Sequence, residues 1–161
     1  MRAVAECRGT VPVPLPVSEA FRLFTPEGER RWVPEWDPSY PAGPAAPAAG
    51  LAFVTGEGRE ARTWVVTRFE PDAGLASYAY VLPGRRTAVI DVVVEPGPDG
   101  GSRARVAYGM TSLSPDEDGV VEEFAAGFEA MMVEWAELIA ALPEVEPGSS
   151  AARDEGPLRD R

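Results

Sequence analysis

The sequence predicts an α+β fold in which a curved antiparallel sheet wraps around one long C-terminal helix. Apolar residues recur at helical spacing over residues 118–142, within about 120° of the helix circumference, and glutamates occupy the opposite side. A run of short apolar-rich segments separated by Gly- and Pro-containing turns precedes that helix, which is typical of an antiparallel meander. The apolar helix face needs a sheet to cover it.

The N-terminal third of the chain predicts one strand and short helical pieces. Residues 2–13 are the expected first strand, and prolines after it mark its end. Ser18 is the expected N-cap of a short helix that ends near Phe24. A second helical turn is expected over residues 29–32. Residues 34–50, rich in Pro, Ala and Gly, predict an irregular loop.

Five further strands are predicted from alternating apolar residues bounded by turn residues. They cover residues 51–55, 62–70, 75–82, 87–95 and 102–113. Residues 114–117, Ser-Pro-Asp-Glu, have the sequence of a capping box, so the long helix begins there directly or after one separate turn at Gly119. Residues 1–142 are the expected domain, and residues 143–161 are predicted to be a flexible acidic and polar tail.

The composition argues against several classes of protein. The 161 residues include 15 arginines and no lysine against 26 acids, for a net charge of −11, and the arginines are scattered, so no nucleic-acid partner is expected. The chain contains no histidine, which excludes Ser–His–Asp and Cys–His catalysis and the usual zinc sites. There is no Gly-rich phosphate loop. We therefore expect neither a metal nor a cofactor.

The chain is expected to be cytoplasmic and not to insert into a membrane. No apolar run has the length needed to cross a bilayer, and Arg2, Glu6 and Arg8 interrupt any signal-like segment. Cys7, the single cysteine, has no partner for an internal disulfide and is expected to be a small buried side chain. The sequence leaves a homodimer open.

The aromatic and methionine side chains are the candidate lining of an apolar cavity between the sheet and the helix, although they also suit an ordinary core. The cavity is expected to open near the loop of residues 32–36, with room left by Ala88 and Ala104. The candidate ligand-binding residues are Trp32, Trp36, Trp64, Arg68, Tyr78, Tyr80, Tyr108, Phe124, Phe128, Met131, Met132 and Trp135.

Charged residues within the predicted elements have structural and functional interpretations. Arg68 shares a strand face with aromatic residues and could anchor a ligand carboxylate or carbonyl. Alternation places Asp91, Arg103 and Arg105 on the outer face of the sheet. The carboxylates at residues 116–118 are explained by helix capping and the helix dipole, because they lack the ligand spacing of a calcium loop.

Four stretches resemble the START-like superfamily, also called SRPBCC, over about residues 2–142. They are PVSEAFRLF, RRWVPEWDP, RTWVVTRFEPDAGLASYAYVLPG and RVAYGMTSLSPDEDG. The resemblance implies the helix-grip fold of that superfamily, which includes pollen-allergen-type proteins, polyketide cyclases and chaperone-ATPase activators. None of the superfamily's catalytic residues can be carried over to this sequence, so the catalytic residues are unknown.

Three functions are consistent with this fold. The first is binding of a small hydrophobic or amphipathic molecule between the sheet and the C-terminal helix. The alternatives are a polyketide cyclase or dehydratase and a protein-binding accessory domain of the co-chaperone kind. Acid–base groups in a roomy cavity would favour the enzyme, an entirely apolar cavity would favour the binder, and a filled interior would favour the accessory domain.

Overall fold

A computed structural model describes residues 1–145 of the chain. Its centre is one six-stranded sheet in which every neighbouring pair is antiparallel, in the order β1-β6-β5-β4-β3-β2. The strands are β1 Val4–Val13, β2 Ala52–Thr55, β3 Arg62–Glu70, β4 Leu75–Leu82, β5 Arg86–Pro96 and β6 Ser102–Ser112. Helix α1 spans Val17–Arg22 and helix α2 spans Pro115–Ala140. The predicted α+β architecture is confirmed.

Helix α1 begins one residue before the predicted cap. Pro16, not Ser18, occupies the N-cap position, with an extended backbone, and its carbonyl accepts the N–H of Ala20 at 2.8 Å. The fixed φ of proline suits this position, since a residue at a helix start needs no N–H donor of its own. The second predicted turn is the 3₁₀ helix Gly28–Arg31.

Helix α2 begins directly at Pro115 and continues through Gly119. Ser114 stands at the N-cap position, but its side chain makes no capping hydrogen bond. The first turn is held from outside the helix instead, because the carboxylate of Asp118 accepts the N–H of Ala3 at 2.9 Å. The helix ends at Ala140, two residues before the predicted end.

Helix α2 packs mainly on β1 and β6, along one side of the inner face of the sheet. Gly9 permits this close approach, because a Cβ at this position would lie 2.8 Å from Cγ of Met132 and 3.0 Å from the ring of Phe128. Phe128 and Met132 are buried there. The rest of the inner face is covered by the aromatic segment that follows α1.

Strand β3 contains a β-bulge between Val66 and Arg68. Val66 is buried on the inner face, and after the bulge the inner position belongs to Phe69, whose ring packs 5.5 Å from that of Phe21. One extra residue in a strand reverses the faces of all later residues. Arg68 therefore lies on the outer face.

The folded part extends to the end of the described residues. Leu142 is buried, Val145 packs against the core, and Glu144 forms an ion pair with Arg31. Glu144 and Val145, which belong to the predicted tail, therefore contact the domain, and residues 146–161 lie outside the described residues. Among residues 1–145, none of the helices has the length and apolar character needed to cross a lipid bilayer.

Candidate functional site

A small cavity of about 30 Å³ lies between the middle strands of the sheet and the segment that follows α1. This volume holds about one water molecule, so this part of the interior is nearly filled. The lining residues are Phe24, Pro26, Glu29, Trp36, Phe53, Trp64, Tyr78, Ile90, Val92, Tyr108 and Trp135. Seven of these eleven residues are aromatic, and only one carries a carboxyl group.

Hydrogen bonds hold three of the aromatic walls. The indole N–H of Trp36 donates to the carbonyl of Pro26 at 2.7 Å, and that of Trp64 donates to the hydroxyl of Thr55 at 2.9 Å. The hydroxyl of Tyr78 donates to the carbonyl of Phe24 at 2.7 Å. The polar atoms of these rings thus have partners in the protein, as buried aromatic polar groups usually do.

Ring contacts fix the relative orientation of the same walls. The rings of Phe53 and Trp64 are stacked at 5.5 Å, and Trp36 meets Trp64 edge to face, also at 5.5 Å. These are the spacings that aromatic pairs favour. The cavity is therefore bounded by a connected aromatic cluster.

Glu29 reaches this cluster because of the local helix geometry. In a 3₁₀ helix residues i and i+3 lie on the same side, and Glu29 is three residues before the buried Trp32. Within residues 1–145, no hydrogen bond or ion pair reaches the Glu29 carboxyl. Burial raises the pKa of this carboxyl to about 8, so the neutral acid predominates at pH 7.

Two tyrosine hydroxyls lie near the Glu29 carboxyl. Burial and then the charge of Glu29 raise the pKa of Tyr78 and the pKa of Tyr108 well above the usual range. The hydroxyl of Tyr108 has no hydrogen-bond partner in the part of the chain that the structure describes. The carboxyl and this hydroxyl are polar groups at the cavity that a ligand could engage.

The structure brings together five of the twelve predicted ligand-binding residues. Those that line the cavity are Trp36, Trp64, Tyr78, Tyr108 and Trp135. Ala88 and Ala104 are buried, but neither lines the cavity, so the expectation that they leave room for a ligand is wrong.

Three predicted aromatic residues form the layer around the cavity without lining it. Trp32 is buried against Trp135 at 5.3 Å and donates its indole N–H to the carbonyl of Leu23 at 2.7 Å. Phe124 and Phe128 pack against Tyr108 at 5.0 and 5.8 Å. These side chains support the lining residues.

The remaining predicted residues lie outside the lining. The hydroxyl of Tyr80 contacts the buried guanidinium of Arg86 at 3.3 Å, and Met131 is half-buried on α2. Met132 lines a separate open groove of about 720 Å³, between the last turns of α2 and the hairpin of residues 98–101. These three residues are therefore not brought to the cavity.

Arg68 is a correction to the predicted site. The bulge in β3 turns it to the outer face, where its side chain is 57% exposed and pairs with Glu70 at 2.8 Å. Asp91, Arg103 and Arg105 are exposed on the same face, as predicted.

Sequence reasoning missed Glu29, because a glutamate in the polar run Gly-Glu-Arg-Arg gives no apolar pattern. Its spacing of three residues from Trp32 was the available signal, and it becomes informative only when the turn is known to be 3₁₀. The lining residues Phe53, Ile90 and Val92 were predicted as strand residues, but nothing in the sequence separated them from ordinary core.

A second polar cluster lies at the start of α2. The carboxylate of Glu117 accepts hydrogen bonds from Arg86 at 2.5 Å and from Arg85 at 2.9 Å, and the side chains of Glu117 and Arg86 are only 6% and 7% exposed. Burial opposes the ionised form, but the two guanidinium groups outweigh it and hold the pKa of Glu117 below its usual range. Capping and the helix dipole, the sequence-based explanation for this residue, therefore leave out its ion pairs with Arg85 and Arg86.

The cluster joins α2 to the β4–β5 hairpin, and none of Arg85, Arg86 and Glu117 lines the aromatic cavity. Arg62 lies over the ring of Tyr80, with 4.8 Å from its guanidinium carbon to the ring centroid. No group of three or more potential metal-ligating side chains occurs among residues 1–145. The cavity around Glu29 is therefore the candidate ligand site.

No family model and no curated protein sequence matches this chain. Solved structures do match. Ara h 8.0201 is 13% identical with a TM-score of 0.60, over 84% of this chain and 96% of its own. CalU16 from Micromonospora echinospora is 16% identical with a TM-score of 0.58, over 96% and 91%. Norcoclaurine synthase from Thalictrum flavum, solved with dopamine and hydroxybenzaldehyde, is 10% identical with a TM-score of 0.59, over 86% and 87%.

At these identities the similarity establishes the fold. It agrees with the resemblance that the sequence itself carries, because the similarity extends over most of each chain. The chain has the helix-grip fold, with a six-stranded antiparallel sheet and a long C-terminal helix.

Proposed function

We propose that this chain binds a small, flat and largely apolar molecule in the cavity beneath Trp36. The wall of the cavity carries this proposal, because aromatic rings surround a carboxyl that has no protein partner within residues 1–145. Binding sites are typically apolar with a few polar groups that orient the ligand. A core that served only stability would gain nothing from a half-buried carboxyl that faces aromatic rings without a partner.

The cavity must enlarge to take a ligand, since its present volume is that of about one water molecule. Trp36 is the wall that moves most easily. It is half-buried, lies within the irregular segment of residues 34–50, and is held by one hydrogen bond and by edge contacts with Phe53 and Trp64. Outward movement of its indole ring would join the cavity to solvent.

The fold comparison supports the size class of the ligand. Dopamine and hydroxybenzaldehyde, the molecules bound to norcoclaurine synthase, are single-ring aromatic compounds. One ring of this kind is what the space vacated by an indole ring would admit.

Titration with the neutral single-ring dye 4-(dimethylamino)benzonitrile, whose fluorescence depends on its environment, tests the proposal. We expect saturable fluorescence enhancement by the folded protein and displacement of the dye by neutral single-ring aromatic compounds. Val92→Phe places a ring in the cavity and should abolish binding, whereas Val93→Phe on the opposite face of the same strand should leave binding unchanged. Circular dichroism shows whether both variants fold.

An acid–base enzyme of the cyclase or dehydratase type is the second candidate. The pKa of Glu29, about 8, is close to working pH, which is the condition for efficient proton transfer. Glu29→Gln would then retain dye binding but lose turnover. If no saturable dye binding occurs, the nearly filled interior favours the protein-binding accessory domain instead.

A further inference from the structure

We propose that the ligand of this cavity carries a protonated amine, which pairs with the carboxylate of Glu29 and lies against the surrounding aromatic faces. The inference rests on the function proposed above and adds the chemical class of the ligand. It follows from three properties of the cavity, namely the charge distribution of its walls, its size and the protonation state of Glu29.

The walls favour positive charge. The face of an aromatic ring carries negative charge density, and seven aromatic residues line the cavity. The N–H groups of Trp36 and Trp64 and the hydroxyl of Tyr78 are already used in hydrogen bonds within the protein. No basic side chain lines the cavity within residues 1–145. Aromatic faces with one carboxyl group are the surroundings in which proteins bind organic cations.

The size of the cavity fits an ammonium group. About 30 Å³ accepts one group of the size of a water molecule, and an ammonium head has that size. The cavity therefore receives the charged end of the ligand without rearrangement. The aromatic body of the ligand then takes the space that Trp36 vacates.

Binding of an amine should change the protonation state of Glu29, and this change can be measured. At pH 7 the carboxyl of Glu29 is mostly neutral, so on binding it releases its proton to solvent while the amine keeps its own proton. Tyr78, Tyr108 and Tyr40 have raised pKa values and stay neutral, and the guanidinium of Arg62, whose charge reaches Tyr108, stays positive. Among these groups, Glu29 is then the one that titrates between pH 6 and 9.

Ligands of one shape and different polarity give a direct test. We would measure displacement of 4-(dimethylamino)benzonitrile by benzylamine, ethylbenzene and acetophenone at pH 6 and pH 8.5. For the wild-type protein at pH 8.5, benzylamine should bind about tenfold or more tightly than ethylbenzene. Its affinity should rise from pH 6 to pH 8.5, with release of a proton at the lower pH.

Two variants distinguish the effect of the Glu29 carboxyl from the effect of the overall negative charge of the chain. Glu29→Gln should remove the advantage of benzylamine and its pH dependence while leaving ethylbenzene binding intact, which also shows that the variant folds. Glu35→Gln removes an exposed acid from the same segment and should retain both. If Glu29→Gln does not fold, the pH dependence of benzylamine affinity and the proton release of the wild-type protein still test whether the ligand carries an amine.

The outcomes distinguish this inference from the proposed function. Equal binding of benzylamine and ethylbenzene would overturn the amine while leaving a binder of apolar molecules. Preference for acetophenone, with affinity falling above pH 8, would replace the amine with a carbonyl that accepts the Glu29 proton. Failure of all three compounds to displace the dye would overturn both proposals.

Discussion

Glu29 lies in the short 3₁₀ helix and Glu117 lies in the first turn of α2, and the surroundings of these two glutamates are opposite. Glu117 accepts hydrogen bonds from two arginines, and its pKa is held below the usual range. Glu29 has no such partner within the described part of the chain, and burial raises its pKa to about 8. The same side chain thus forms a structural ion pair at one place and a candidate ligand contact at the other. Environment, not residue type, makes that distinction.

The paired glutamate should contribute most to stability. Glu117→Ala leaves the guanidinium of Arg86, 7% exposed, without its main partner, and we expect a loss of about 3–5 kcal/mol in the free energy of unfolding. Urea denaturation at pH 7 measures this loss.

Glu122→Ala, an exposed glutamate on the same helix, is the control and should change the unfolding midpoint little. A loss below about 1 kcal/mol for Glu117→Ala would mean that water reaches Arg86. The distinction between Glu117 as a structural ion pair and Glu29 as a candidate ligand contact would then be wrong.

Glu29, the glutamate without a partner, should change the stability of the fold with pH in the direction opposite to Glu117. The pKa of Glu29 in the folded state, about 8, is above its ordinary value of 4.5. Its contribution to stability is therefore fully present below pH 4.5 and is lost as pH rises through about 8. Allowing for partial exposure, we expect a loss of about 3 kcal/mol between pH 5 and pH 9, measured by urea denaturation.

Glu29→Gln should remove this alkaline loss, because a glutamine does not ionise. Glu117 has a lowered pKa, so its contribution is present above its ordinary pKa and is lost only as pH falls below it. The acid limb of the stability curve should therefore be the same in Glu29→Gln and in the wild type. An alkaline loss that persists in Glu29→Gln would assign it to another group.

The sequence predicted the strands well because their signal is local. The bounds of β3 and β4 match the predicted residues 62–70 and 75–82, since alternation inside each strand ends at Pro and Gly residues. The start of α2 at Pro115 was one of the two predicted alternatives, and its Ser-Pro start gives the reason.

What the sequence did not predict depends on contacts between distant residues. The bulge at Arg68 changes the face of one side chain without changing the apolar pattern before it. The pairing of Arg86 with Glu117 joins residues 31 positions apart in the chain. The volume of the cavity depends on how the rings of Trp36, Trp64 and Phe53 interlock, which periodicity does not describe.

Removing the indole ring of Trp36 should reduce the difference between the pKa values of Glu29 and Glu117. Trp36→Ala admits water to the cavity, so the pKa of Glu29 should fall toward its ordinary value. Because Trp36 is half-buried, we expect a loss of about 2 kcal/mol at pH 7, less than for a fully buried tryptophan. A carboxyl titration followed by NMR measures the pKa.

Tyr40→Phe changes a ring on the same segment that does not line the cavity, and it should leave the pKa of Glu29 raised. A raised pKa that survives Trp36→Ala would show that other walls exclude water from Glu29.

The smallest effect is expected at Glu60, which shares Arg85 with Glu117. The guanidinium of Arg85 donates to Glu60 at 2.8 Å and to Glu117 at 2.9 Å, so the two contacts have nearly the same length. They differ in exposure, since the side chain of Glu60 is 67% exposed and that of Glu117 is 6% exposed.

Water and salt screen an exposed pair, and either partner is well solvated alone. Glu60→Gln should therefore leave the urea midpoint unchanged within error, at low salt and at high salt. A loss like that of Glu117→Ala would show that the number of partners, and not burial, sets the stability of this cluster.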